Sequence, residues 1–152
     1  MVKGSCLCGD VRFEIECAVG ALELCHCSRC RKVGGSAFMA GIGVRRGDFR
    51  YVAGQDKVAI YDAPLLDEPP AYRSCFCRRC GSPVPDPTST APWFEIAAGL
   101  LDDDPGIRPA RHIMVDYKAA WYPIEDGLQQ LDKAALVAHR RALSAAAKED
   151  PE

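Results

Sequence analysis

Seven of the nine cysteines fall into three short groups, and nothing else in the 152 residues constrains the fold as tightly. The first is Cys6-Leu7-Cys8-Gly9, the second Cys25-His26-Cys27-Ser28-Arg29-Cys30, and the third Cys77-Arg78-Arg79-Cys80-Gly81. Cysteines at i, i+2 and i+5 are spaced for sulfurs that converge on one point. In a locally extended C-x-C both side chains lie on one side, because the strand period is two. Groups of two, three and two thiols suggest one complete four-sulfur zinc site from the outer pairs, Cys6, Cys8, Cys77 and Cys80. They leave a second site, Cys25, Cys27 and Cys30, with a coordination position open, and an open zinc position is where chemistry occurs. Spacing alone also permits the middle group to share a metal with either outer pair.

Tight C-x-C and C-x-x-C groups and an odd cysteine count make a poor disulfide framework and favour metal ligation in a reducing compartment. The start Met1-Val2-Lys3-Gly4-Ser5 has no apolar signal-peptide region, and no apolar run approaches the roughly 20 residues that span a bilayer. The expected location is therefore the cytoplasm, with no membrane partner. A formal net charge of −2 supplies no basic face for nucleic acid. With 48% hydrophobic residues the chain has enough apolar material for a core, while 13 Gly and 11 Pro point to short strands and many turns.

Along the chain, Val11-Arg12-Phe13-Glu14-Ile15-Glu16 alternates apolar and charged residues, which predicts a half-buried strand with Val11, Phe13 and Ile15 inward. Gly9 permits the tight bend before it. Residues 21–24 form a second strand delivering the central cysteines, residues 28–32 a helical loop returning Cys30, and Gly34-Gly35 its end. Strands are expected at 36–44 and 49–52 with a hairpin turn at 45–48, then at 57–61, 72–77, 93–98 (buried) and 111–115. Residues 63–71 read as a proline-rich surface loop, and Pro83, Pro85 and Pro87 exclude helix or central strand there. From Asp132, a candidate N-cap, an Ala-, Leu-, Lys- and Arg-rich stretch to about Lys148 predicts the one convincing helix.

At a three-thiolate zinc, a thiol substrate would bind as thiolate, or a carbonyl oxygen would be polarised by the Lewis acid. His26, Cys75 or Cys17 could instead close that site. His26 lies between two ligands, so alternation points it away from them. Arg29, Arg31 and Lys32 beside the cluster are candidates for holding the carboxylates of an anionic substrate, with solvated surface charge as the plainer reading. His112, in an apolar strand, reads as a core hydrogen-bonding histidine ahead of a catalytic base. Trp93, Trp121 and Tyr122 read as core or cleft-wall aromatics, and Cys17 and Cys75 as buried fillers.

Three blocks stand in a familiar order: Gly4-Ser5-Cys6-Leu7-Cys8-Gly9-Asp10-Val11-Arg12-Phe13, then Cys25-His26-Cys27-Ser28-Arg29-Cys30-Arg31-Lys32, then Phe76-Cys77-Arg78-Arg79-Cys80-Gly81. A tail of His112-Ile113-Met114-Val115 and Ala120-Trp121-Tyr122 follows. Over about residues 3 to 131 the chain resembles the glutathione-dependent formaldehyde-activating enzymes, a family that also includes centromere protein V. The resemblance implies a mainly β, Mss4-like zinc-binding fold of several small coiled sheets. On that basis residues 1–131 are the catalytic domain and 132–152 a C-terminal helical appendage. It also implies structural zinc at Cys6, Cys8, Cys77 and Cys80, and catalytic zinc at Cys25, Cys27 and Cys30, two ions per chain. The reaction implied is condensation of glutathione with formaldehyde to S-hydroxymethylglutathione, a carbon–sulfur lyase chemistry, with a small thiol and an aldehyde as partners. A non-catalytic zinc-binding interaction module is the alternative.

Overall fold

The computed structural model describes residues 1–16, 20–64 and 72–149, so Cys17 and most of the proline-rich loop at 63–71 lie outside the described residues. In chain order the elements are β1 (Val2–Ser5), β2 (Arg12–Ile15), β3 (Leu22–Cys25), α1 (Ser28–Gly34), β4 (Met39–Arg45), β5 (Phe49–Ala53), β6 (Val58–Asp62), β7 (Arg73–Cys77), β8 (Trp93–Ala97), β9 (Pro109–Ile113), β10 (Gln129–Leu131) and α2 (Lys133–Glu149). The fold is mainly β, in several small sheets, and ends in a helix. The elements divide into two compact units, each discontinuous in sequence. One comprises Met1–Leu22 and Ala40–Arg108, the other Glu23–Met39 and the chain from Pro109 onward.

The first unit is built on the alternation in β2. Val11, Phe13 and Ile15 are all buried, as the pattern predicts, and β2 is the middle strand of the antiparallel sheet β1-β2-β5. Phe13, Ile15 and Phe49 share a core with Ile42 and Val44 of β4 and Ile96 of β8. β4 and β8 are antiparallel, with Ile42 opposite Ile96 and Val44 opposite Phe94. The expected hairpin across 45–48 does not form. Arg46–Asp48 is a 3-10 turn, after which β5 pairs with β2 and not with β4. Phe49 is thereby set opposite the buried Ile15, and Arg50 opposite Glu14, whose carboxylate accepts from its guanidinium. Nor is β8 buried throughout: only Ile96 is, while Trp93 lies half-exposed beneath the Arg45 guanidinium. Gly54 closes β5 at φ +73°, where an added Cβ would come 2.2 Å from the Asp10 carbonyl oxygen.

A second core in this unit surrounds the outer cysteines, with Cys6, Cys75 and Cys77 packed among Val11, Val58 and Val84. β6 and β7 form an antiparallel pair that sets Val58 opposite Cys77.

In the second unit β9 lies between β3 and β10, and β10 runs parallel to it with Gln130 opposite His112. All four residues of β3 are buried. The helical turn predicted at 28–32 is α1, ended by Gly35 in the left-handed region with its N–H on the Arg31 carbonyl. Asp132 caps α2, its carboxylate accepting from Ala135 N–H at 2.8 Å. Leu136 of α2 packs with Ile113, Leu131 and the buried Cys25 and Cys30. Among the described residues no helix is long and apolar enough to cross a membrane.

Phe13 is fully buried and joins β2 to the larger core, so Phe13→Ala should cost about 3–5 kcal/mol. Urea denaturation at fixed zinc checks this; a loss below about 1 kcal/mol would mean the core repacks around the gap.

Candidate metal centres

Two turns of the same construction carry the outer cysteines. In the first, Cys6 N–H donates to the Val11 carbonyl and Gly9 N–H to the Cys6 carbonyl, with Gly9 at φ +73°. In the other, Cys77 N–H donates to the Ser82 carbonyl and Gly81 N–H to the Cys77 carbonyl, with Gly81 at φ +76°. The left-handed glycine lets the backbone turn back under its cysteine, so the sulfur projects from the turn instead of being covered by it. Leu7 N–H donates to the Ser82 hydroxyl, tying one turn to the other.

The four sulfurs of Cys6, Cys8, Cys77 and Cys80 lie within 4.8 Å of one another. The Cys6–Cys8 and Cys8–Cys77 separations are 3.5 and 3.8 Å. A zinc–sulfur distance of about 2.3 Å puts tetrahedral sulfurs about 3.8 Å apart, close to these two separations. The sulfurs of Cys25, Cys27 and Cys30 also converge within 4.8 Å, and among the described residues no fourth histidine, cysteine or carboxylate ligand atom joins them. Cys25 ends β3, Cys27 caps α1, and Cys30 lies in the first turn of α1 with its N–H on the Cys27 sulfur.

The thiols are poised to exchange protons for a cation. In the central cluster, hydrogen bonds from the Cys25 and Cys30 side chains hold Cys27 down to about 2. The same contact with Cys27 pushes Cys25 up to about 12, and Cys25 and Cys27 together push Cys30 up. In the outer cluster the Ser82 side chain and amide hold Cys80 down to about 5. Each cluster thus has sulfurs whose neighbours favour the thiolate: Cys27 in the central one, Cys80 and Cys6 in the outer.

Of the residues weighed as extra ligands, Cys17 lies outside the described residues and the other two go elsewhere. Cys75 is buried in β7 outside the four-sulfur group. His26 points away from the cysteines on either side of it and is fully buried, as is His112, with His26 Nε2 2.8 Å from His112 Nδ1. Burial pushes the His26 imidazole down, and the neighbouring His112 and Lys118 add to the effect. Of the three basic candidates, Arg31 donates from Nε to the His26 carbonyl, Arg29 is half-buried, and Lys32 is exposed. Trp121 is 70% exposed, so it belongs to no core, whereas Tyr122 packs on His26 and Phe38.

Sequence reasoning missed two groups. Asp126, fourteen residues beyond His112, accepts from its Nε2 at 2.9 Å. Glu23 is buried one residue before Leu24 and Cys25, paired with Arg140 of α2 and lying 3.6 Å from Arg111 Nε of β9. A charged residue inside the apolar strand sequence Leu-Glu-Leu was the available signal for Glu23. Asp126 had none, because it lies in a loop and its partner is on β9, fourteen residues away.

A mainly β chain that gathers two separate cysteine clusters, one of four sulfurs and one of three, belongs to the metal-binding class of small β folds. The family model of the glutathione-dependent formaldehyde-activating enzymes matches residues 1–117, and the chain belongs to that family. A protein of Halomonas elongata, provisionally named a glutathione-dependent formaldehyde-activating enzyme, is 33% identical over 132 residues, which are 82% of each chain. A crystal structure of a Rhodobacter sphaeroides protein covers 85% of this chain and 98% of its own at a TM-score of 0.51 and 22% identity, a likeness of fold.

Glu23→Leu would leave the Arg111 guanidinium, mostly buried, without its carboxylate and should cost about 3 kcal/mol. Denaturant unfolding of the two proteins at equal zinc decides this; a neutral result would mean Arg111 reaches water when Glu23 is gone.

Proposed function

We propose that this protein is a cytoplasmic, zinc-dependent carbon–sulfur lyase that condenses glutathione with formaldehyde, or works on a closely related thiol adduct. The observation that carries the reading is the difference in donor number between the clusters: four sulfurs that can close a coordination sphere, and three that cannot. In this reading Cys6, Cys8, Cys77 and Cys80 hold a structural zinc, and Cys25, Cys27 and Cys30 a catalytic one. Bound there, zinc would supply a Lewis acid and lower the pKa of a coordinated thiol.

The protein's own residues do the rest. Cys27 caps a helix and Cys25 ends a buried strand, so the sulfurs are placed by elements that do not yield to an incoming ligand. Lys32 and Arg29 are the proposed partners for glutathione carboxylates. Arg31, with Nε on the His26 carbonyl, braces the cysteine turn and has the rest of its guanidinium left for an anion. Sequence membership favours the reaction: the family's name specifies glutathione and formaldehyde.

Metal analysis of the purified protein should give two zinc ions per chain, and Cys27→Ser one. Adduct formation is spontaneous, so the activity test is exchange NMR of glutathione and formaldehyde: the zinc-loaded protein should speed interconversion, and Cys27→Ser should abolish the acceleration. No acceleration by a protein holding both ions would overturn the lyase assignment and favour the interaction-module reading.

A further inference from the structure

A line of hydrogen bonds runs from an exposed carboxylate to the residue between two cysteines of the central cluster. The Asp126 side chain is 46% exposed, and its two oxygens lie 3.1 and 2.9 Å from His112 Nε2. His112 Nδ1 lies 2.8 Å from His26 Nε2, and both rings are fully buried. The remaining His26 nitrogen, Nδ1, is buried without a hydrogen-bond partner. Phe38 and Tyr122 stack on the His26 ring at centroid distances of 5.5 and 5.9 Å. The backbone is held as well, His26 N–H donating to the Ile113 carbonyl at 3.0 Å and the His26 carbonyl accepting from Arg31.

The proton order in this line follows from the end that touches water. The Leu128 amide and His112 hold the Asp126 carboxyl below its usual range, so it only accepts. With one proton on the ring, His112 Nε2 is then the donor and its Nδ1 the acceptor. That in turn requires the proton of neutral His26 on Nε2. One surface carboxylate therefore selects the tautomer of two rings inside the protein.

We infer that Asp126 and His112 are positioning residues of the central cysteine cluster, the carboxylate fixing the tautomers and the paired rings fixing the side of the chain on which Cys25 and Cys27 lie. The reason is geometric. In an extended Cys-His-Cys segment the middle side chain points opposite to its neighbours, so a His26 ring held in one orientation sets the direction of both flanking sulfurs. Partners that orient groups at a metal site in this way typically govern its affinity by 10–100-fold. The inference rests on the metal-centre part of the proposed function, and not on the lyase activity.

The test uses Asp126→Asn, an isosteric change at a half-exposed side chain, on the full chain labelled with nitrogen-15 histidine. Ring-nitrogen shifts in the unsubstituted protein should show His112 protonated at Nε2 and unprotonated at Nδ1, and His26 likewise. In Asp126→Asn, whose amide can donate as well as accept, these assignments should mix or reverse. Zinc affinity of the central cluster, measured by competition with a chelator, should fall about 10-fold or more, with the outer four-cysteine site unchanged as an internal reference. Unaltered tautomers, or altered tautomers with unaltered affinity, would overturn the positioning role and leave the metal centre standing. Failure of the unsubstituted protein to bind a second ion would overturn both readings, and is distinguished by that zinc count alone.

Discussion

The convergence of Cys6 and Cys8 on Cys77 and Cys80 is the constraint on which the first unit depends. It closes a loop of 69 residues between Cys8 and Cys77, a cost in chain entropy that grows slowly with length but must be met before any contact inside the loop rewards it. Apolar burial alone supplies part of it, since Val11, Val58 and Val84 surround the sulfurs. Four converging thiols could hold a metal ion only in the folded chain, and metal affinity at such a site would be linked to folding free energy. The two glycine turns make this possible without strain, because the left-handed residue in each is the one type that pays nothing for that conformation.

The second unit solves a different problem with the same residue type. Three sulfurs do not complete a coordination sphere, so their convergence must be supported by protein. That support is visible on every side of the Cys25–Cys30 segment. Behind it β3 is buried along its length; in front of it α1 begins at Cys27; beneath it the His26 ring is clamped by His112, Phe38 and Tyr122. Even a charge is spent here, Glu23 lying buried against Arg111 and Arg140. Buried charge is poor value for stability but strict about register, and β3 is the strand whose register decides where Cys25 ends up.

What could be read from the sequence follows from range. Alternation in β2, the cap at Asp132 and the glycine ending α1 are local signals, and each matches the structure. The cysteine groups were legible for the same reason, since thiols at i, i+2 and i+5 carry their own geometry. Strand partners were not. β1 and β10 are too short and too polar or glycine-containing to announce themselves, and they exist because β2 and β9 offer them an edge. The turn at 45–48 looks like a hairpin because its residues favour turns, but pairing is decided by which faces bury together, and Phe49 belongs with Ile15. Of the two places expected for Trp121, core or cleft wall, its exposure excludes the core, because hydrophobicity fixes how much burial gains and not whether the fold provides it.

In the proposed reading, one ligand type serves both stability and reactivity in the two clusters. A fourth sulfur satisfies a zinc ion and turns it into a staple; withholding it leaves an electrophile that the chain must then keep in place by other means. In the three-sulfur cluster the neighbouring thiols pull Cys27 down and push Cys25 and Cys30 up, so a cation binding there would displace protons chiefly from Cys25 and Cys30. The burden of the missing ligand falls on groups that never touch the ion: a ring between two cysteines, a second ring behind it, and a carboxylate at the surface. Reactivity at such a site is then a property of the packing around the knuckle as much as of the sulfurs themselves.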